Sequence, residues 1–151
     1  MHNRGGEKMR AGKWHIPETL LYSHDNYWLK LDGNKALLGL TEYGQYTTGD
    51  ILYLELVPAG TSIQKGERFG SIESGKWVGN LVAPVSGTVL ESNRELETIP
   101  RKVNTDPYGE GWMLKVRLED QFAAEDLMEA AAYQQWVEEQ VRREQEDEVV
   151  S

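Results

Sequence analysis

The sequence predicts a mainly β fold: two small sheets packed as a sandwich or flattened barrel, with one short internal helix and a longer amphipathic helix at the C-terminal end. Three observations carry this class. Between residues 26 and 118 the apolar residues come in short runs separated by Gly, Pro, Asn and Asp, which is the punctuation of turns. Strands that short bury their faces only by packing sheet on sheet. From Ala124 the apolar period changes from two to about 3.6, with Leu127, Ala131, Tyr133 or Trp136, Val137 and Val141 at helical spacing. Finally, 151 residues make one ordinary domain, able to remove ~68–70% of its unfolded surface from water.

Residues 1–19 are polar and contain Gly, and they read as a flexible or loosely docked extension in which Trp14 and Ile16 are the side chains able to pack. A β domain over residues 20–118 follows. Segments 27–31 and 35–40 are strands around the turn Asp32-Gly33-Asn34. Segment 41–48 breaks the alternation and predicts a short helix stopped by Gly49. Strands at 51–56 and 67–73 are separated by Pro58, Gly60 and Gly66, and strands at 78–83, 88–92 and 112–118 complete the set. Residues 119–151 form the helix and an acidic tail, packed on the domain or extending from it. In the helix Glu138 with Arg142 and Glu139 with Arg143 are favourably ordered i,i+4 pairs, worth ~0.2–0.5 kcal/mol each. Residues 144–148 have no apolar face and are expected to fray.

Composition removes several function classes. With no cysteine the chain has no disulfide, thiolate zinc site or cysteine nucleophile, so any thiol chemistry must come from a cofactor. The net charge of -9 sits in the C-terminal part, where residues 119–151 carry 11 acidic side chains against Arg142 and Arg143. The remainder balances and offers no basic stripe, so no nucleic-acid partner is expected. No apolar run approaches the ~20 residues of a membrane span, and residues 1–13 lack the apolar stretch of a signal peptide. A cytoplasmic protein with no membrane partner is the expectation. Metal-protease, P-loop and nucleophile-elbow motifs are absent, and His2, His15 and His24 have no carboxylate partner at ligand spacing. No metal site and no catalytic residue is expected.

Lys76 is the residue with chemistry. Ser74-Gly75 separates two apolar segments, so the stretch predicts a β-hairpin with Lys76 at its tip, and Gly75 is expected to bend the chain there through its freedom at positive φ. Taken alone, a turn lysine is a solvated charge. Its neighbourhood changes that reading. Glu73-Ser74-x-Lys76 followed by Leu81-x-Ala83-Pro84-Val85-Ser86-Gly87-x-Val89 resembles the lipoylation hairpin of the H protein of the glycine cleavage system. Further pieces follow in the same order as in that family. They are Gly39-Leu40-Thr41-x-Tyr43 leading to Gly49-Asp50-Ile51, then Gly60, then Gly66-Glu67-x-Phe69-Gly70, and lastly Asn104-x-Asp106-Pro107-Tyr108-Gly109-Glu110-Gly111-Trp112. The resemblance spans about residues 20–137 and sharpens the fold to a barrel-sandwich hybrid of the lipoyl and biotinyl-domain kind.

What the resemblance implies is a carrier and not an enzyme. Lipoate is amide-linked to Lys76 as a swinging arm, with Glu73, Ser74, Gly75 and Trp77 flanking the attachment point. Tyr108 and Glu110 are possible residues for docking the arm, although the same loop can equally be a turn leading into a strand. The implied partners are a lipoate ligase or lipoyl transferase, dihydrolipoamide dehydrogenase, a pyridoxal-phosphate glycine decarboxylase and a folate-dependent aminomethyltransferase, between which the arm carries aminomethyl groups. Two places depart from the family pattern. Gly75, Trp77 and Val78 stand where a valine precedes the lysine and alanines follow it, and Asn26-Tyr27-Trp28 replaces His-Glu-Trp. A Gly-Lys-Trp tip leans the reading toward a similar branch, the lipoate-binding proteins of sulfur oxidation, whose client is a heterodisulfide-reductase-like complex. A biotinyl carrier is disfavoured because no Met neighbours the lysine, and an unmodified interaction module is the alternative of another class.

Overall fold

In the computed structural model, residues 14–150 are described, with side chains through residue 147. Nine strands form two antiparallel sheets. The larger runs in the order β1-β2-β3-β9-β8-β5, from β1 (Leu21–Tyr22), β2 (Tyr27–Asp32), β3 (Lys35–Leu40), β9 (Leu114–Leu118), β8 (Gly87–Ser92) and β5 (Ser62–Ile63). The smaller is β4-β6-β7, from β4 (Ile51–Leu56), β6 (Arg68–Ser74) and β7 (Val78–Val82). Their inner faces meet over Leu29, Leu38, Ile51, Phe69, Ile72, Val89, Leu114 and Val116, all buried. Each such side chain contributes about 1.5–3 kcal/mol by leaving water. This is the barrel-sandwich hybrid expected from the strand pattern and the family resemblance.

A second core lies on the outer face of β1 and β2. Tyr27 and Leu29 point into the sandwich, so Trp28 between them points outward. There it is buried with Trp14, Ile16, Tyr22, Tyr43, Tyr133 and Val137. The cover is supplied by the segment around Trp14–Ile16, by helix α1 (Glu42–Thr48) and by helix α4 (Ala130–Val150). Residues 14–16 are therefore packed on the domain, whereas residues 1–13 of the expected extension lie outside the described residues. Among the described residues no helix is long and apolar enough to cross a membrane, and no cluster of His, Cys, Asp and Glu is arranged for a metal.

Several elements differ from the sequence expectation. The two-residue strands β1 and β5 and the single turns α2 (Glu95–Thr98) and α3 (Lys102–Thr105) are too short to leave a periodic signal. The strand expected from residue 112 starts at Leu114, because the Trp112 and Glu110 carbonyls accept from the Asn93 side-chain amide instead of entering the ladder. In α4 the buried face is Ala130, Tyr133 and Val137, and Ala131 is exposed. Leu127 precedes the helix, closing a 3₁₀ turn, and packs on the sandwich core. The helix does not fray at 144: it runs to Val150, and Glu144 accepts a hydrogen bond from the Tyr43 hydroxyl at 2.7 Å. Of the two expected ion pairs, Glu139–Arg143 forms at 3.2 Å. Arg142 turns to Glu139 as well, and Glu138 accepts from Gln134.

Candidate functional site

The hairpin tip is built by β6 and β7, whose last paired residues are Glu73 and Val78. Across the turn the Ser74 amide donates to the Trp77 carbonyl at 2.8 Å, which leaves Gly75 and Lys76 as the projecting pair. Ser74 is buried, and its hydroxyl does the anchoring. It donates to the Thr48 carbonyl at 2.6 Å and accepts from the Lys76 amide at 3.2 Å. The tip is thereby tied to the C-terminal end of α1.

Gly75 does not play the part expected of it. Positive φ occurs at Gly33, Gly49, Gly60 and Gly66 but not at Gly75. A Cβ added at Gly75 would meet nothing within 4 Å. The glycine that matters is Gly49, at φ 93°, where the backbone both ends α1 and leaves a notch. Lys76 occupies that notch: a Cβ on Gly49 would stand 2.9 Å from Lys76 Cε and 3.2 Å from Cγ. Beyond it, Nζ lies 5.5 Å from the centre of the Tyr46 ring, within cation–π range. The side chain rests in an open pocket of about 410 Å³ lined by Gln45, Tyr46, Gly49, Asp50 and Gly75. α1 is fixed in turn at its other end, where the Thr41 hydroxyl accepts from the Gly44 amide and shares a 2.7 Å hydrogen bond with Tyr133.

Trp77 lies back along the hairpin. Its six-membered ring covers Gly79 so closely that a Cβ there would fall 2.3 Å from the indole. Large Trp77 and absent side chain at Gly79 are a matched pair. The indole is 44% exposed beside Lys76. On the other face of the small sheet, Tyr53, Glu73 and Val78 form one cross-strand row, all exposed, with Leu52 next to them. The irregularity between Ile51 and Tyr53 turns both Leu52 and Tyr53 outward.

Tyr108 and Glu110 sit elsewhere. The Tyr108 hydroxyl donates to the His15 carbonyl at 2.7 Å and accepts from the Glu42 amide at 3.1 Å, at the start of α1. Lys76 lies at the end of that helix, about 10 Å away along its axis. Glu110 holds Lys102 at 3.0 Å opposite Glu95 at 2.8 Å, and the two carboxylates, Glu95 first, raise the lysine's pKa. The loop itself is closed by Asp106, whose carboxylate accepts from the Glu110 amide and whose carbonyl accepts from Gly111. Neither Tyr108 nor Glu110 lines the Lys76 pocket. Conversely Tyr46, Gly49 and the Thr48 carbonyl, which do the positioning, were not legible as site residues. Gly49 showed as a helix stop and as one residue of the family motif, with nothing to place it under Lys76, and Tyr46 had no local signal.

Residues 20–140 match the family model described as Glycine cleavage H-protein. The chain is similar to the glycine cleavage system H protein of Staphylococcus saprophyticus, with 47% identity over 81% of this chain and 97% of that one. It is also similar to that of Chlorobium limicola, with 44% identity over 81% and 97%. The crystal structure of a glycine cleavage system H protein from Mycobacterium marinum superposes with a TM-score of 0.70 at 31% identity, covering 78% of this chain and 95% of that one. These relatives do not support the lean toward sulfur oxidation taken from the Gly-Lys-Trp tip.

Proposed function

We propose that this chain, which belongs to the glycine cleavage H-protein family, carries lipoate as an amide on Lys76 and serves as the mobile carrier of glycine cleavage. The observation that carries the assignment is the position of Lys76, exposed on a projecting turn whose base is anchored by Ser74 to α1. The residues present fit the group. The amine opens into a pocket and not into the core, the tip leaves room on the Gly75 side, and no cysteine in the chain competes for the dithiolane. When attached, lipoate supplies a ring disulfide that opens and closes at the end of an arm of roughly 14 Å, by extended bond geometry.

The chain's own residues hold and present the arm. Ser74 and Gly49 fix where it starts, and the rigid sandwich behind them keeps that start in one place. Trp77 and the row Tyr53, Glu73 and Val78 give a partly apolar surface around it, suited to transient contact with client enzymes. Clients by family are a glycine decarboxylase and an aminomethyltransferase, with dihydrolipoamide dehydrogenase to reoxidise the arm and a ligase or transferase to attach it. Tyr108 and Glu110 take no part at the start of the arm, since they lie outside the Lys76 pocket and their polar groups are already engaged.

Intact mass after co-expression with a lipoate ligase tests the attachment. The wild-type chain is expected to gain ~188 Da and Lys76→Arg to gain nothing while folding normally, because the guanidinium keeps the charge but offers no acylatable amine. A gain on the variant would overturn the site. Supplying the lipoylated protein to a glycine cleavage system lacking its own H protein tests the pathway. Glycine-dependent turnover is expected, and its absence would return the tip departures at Trp77 to prominence and sink the pathway assignment.

A further inference from the structure

The placement of the unmodified Lys76 side chain is more specific than a carrier lysine requires. Its stem fills a notch that a side chain on residue 49 would close, and its ammonium stands over one ring. That ring, Tyr46, is 46% exposed and is itself supported: the Trp14 ring lies 4.4 Å from it, centre to centre, and Trp14 is buried against Tyr43. Two residues that the carrier reading does not use are thus assembled, from opposite ends of the first third of the chain, under the one amine that is to be acylated. Asp50 borders the same pocket and pairs with Arg101 at 3.6 Å.

We propose that Tyr46, backed by Trp14 and facing the Gly49 notch, is a positioning platform that parks the un-acylated Lys76 arm along α1 and lets it go when the amine becomes an amide. The inference rests on Lys76 being the lipoylated residue. The chemistry supplies the release. In acylation the Lys76 nitrogen attacks the carbonyl of an activated lipoyl group, a mixed anhydride or thioester; the C–N bond forms, the bond from that carbonyl to its leaving group breaks, and the nitrogen gives up its extra protons to solvent. The product is a neutral amide. A ring face attracts a cation by its quadrupole, and that attraction disappears with the charge. Lipoylation therefore both lengthens the arm and unfastens it. An unmodified chain keeps the Lys76 side chain against α1, and a modified one presents a free arm to its clients while Ser74 still holds the tip.

Proton chemical shifts read the platform directly, since protons over an aromatic face move upfield. With lysines carbon-13 labelled, the Lys76 ε-methylene signal is identified among the eight lysines by its loss in Lys76→Arg. In the unmodified wild-type chain it is expected upfield of the exposed lysines. Tyr46→Phe keeps the ring and keeps the shift; Tyr46→Ala returns the signal to the ordinary lysine position; lipoylation of the wild type brings it to the position of an Nε-acylated lysine in a short peptide, with no upfield ring shift left and with Tyr46 and Trp14 resonances still dispersed. Gly49→Ala, whose new Cβ meets the lysine stem first and whose φ of 93° also strains an alanine, is expected to displace the signal without removing the ring. An unchanged shift in Tyr46→Ala, or one that survives lipoylation, would overturn the platform. Failure of the wild type to take up lipoate at all would instead sink the carrier assignment, and the shift in the unmodified chain would still be measured.

Discussion

Ser74, and not the glycine after it, fixes the Lys76 turn, because the Ser74 hydroxyl is the buried link between hairpin and helix. Ser74→Ala leaves the Thr48 carbonyl without that donor and is expected to cost about 1–3 kcal/mol, read as a lower urea midpoint with an unchanged slope. Gly75→Val, by contrast, meets open space at an ordinary φ and is expected to shift stability by no more than about 0.5 kcal/mol. Were Gly75→Val the more damaging of the two, the anchoring role would belong to the turn itself. Gly79→Ala makes a third contrast at this scale. It keeps the strand but evicts the Trp77 ring, so the indole N–H signal of Trp77 should move toward that of free indole while the fold's midpoint changes little.

At the scale of elements, α4 and α1 act as one support. Tyr133 is stacked on Tyr22 at 4.5 Å, shares a hydrogen bond with Thr41 and donates to the Asn26 side chain at 2.8 Å. Tyr133→Phe keeps the stack but strands both polar partners, so a loss of about 1–3 kcal/mol is expected; Tyr133→Ala adds a cavity and should lose about 3–5 kcal/mol. Trp136 is only half-buried, against Tyr133, and Trp136→Ala should cost less than Tyr133→Ala. The acidic end divides at Glu144, which is tied to Tyr43. Deleting residues 145–151 is expected to leave the melting temperature nearly unchanged, since exposed charges contribute little, and to slow association with a basic client at low salt only, as the Debye length of ~8 Å at physiological strength predicts. Extending the deletion to include Glu144 should lower the melting temperature measurably.

The whole molecule is held by two cores, and the outer one is rich in tyrosine, which gives it a characteristic response to alkali. Burial raises the pKa values of Tyr22, Tyr43 and Tyr133 in the outer core, and of Tyr27 in the sandwich, above the ordinary phenol, with neighbouring Glu144 adding to the rise at Tyr43 and the Val82 amide opposing it at Tyr27. A raised folded-state pKa means that the stabilisation is complete below the unfolded value of about 10 and is lost as pH climbs beyond it. There the unfolded chain releases protons that the folded one keeps, at up to about 1.4 kcal/mol per pH unit for a deeply buried hydroxyl such as those of Tyr27 and Tyr133 and less for Tyr43, which solvent screens. Melting temperatures measured across pH 8–12 should therefore be flat at first and fall steeply from about pH 10. A flat profile through that range would show that these hydroxyls reach solvent in the folded state.

The sequence alone determined the sandwich, the Lys76 hairpin and the C-terminal helix, because each is written in neighbouring residues: alternation in 35–40 and 114–118, turn residues at 74 and 75, a change of period after 124. It also gave the family through motifs that are local in the chain. What it did not determine is everything that crosses the chain. Ser74 meets Thr48 across 26 positions, Tyr133 meets Thr41 across 92, and Tyr43 meets Glu144 across 101. Periodicity has no term for such pairs, so Tyr46 read as an anonymous helix residue and residues 144–148 as a tail. The tertiary structure alone decided that the glycine beneath the lysine is Gly49 and not Gly75, since what a missing side chain makes room for depends on which distant atoms arrive there.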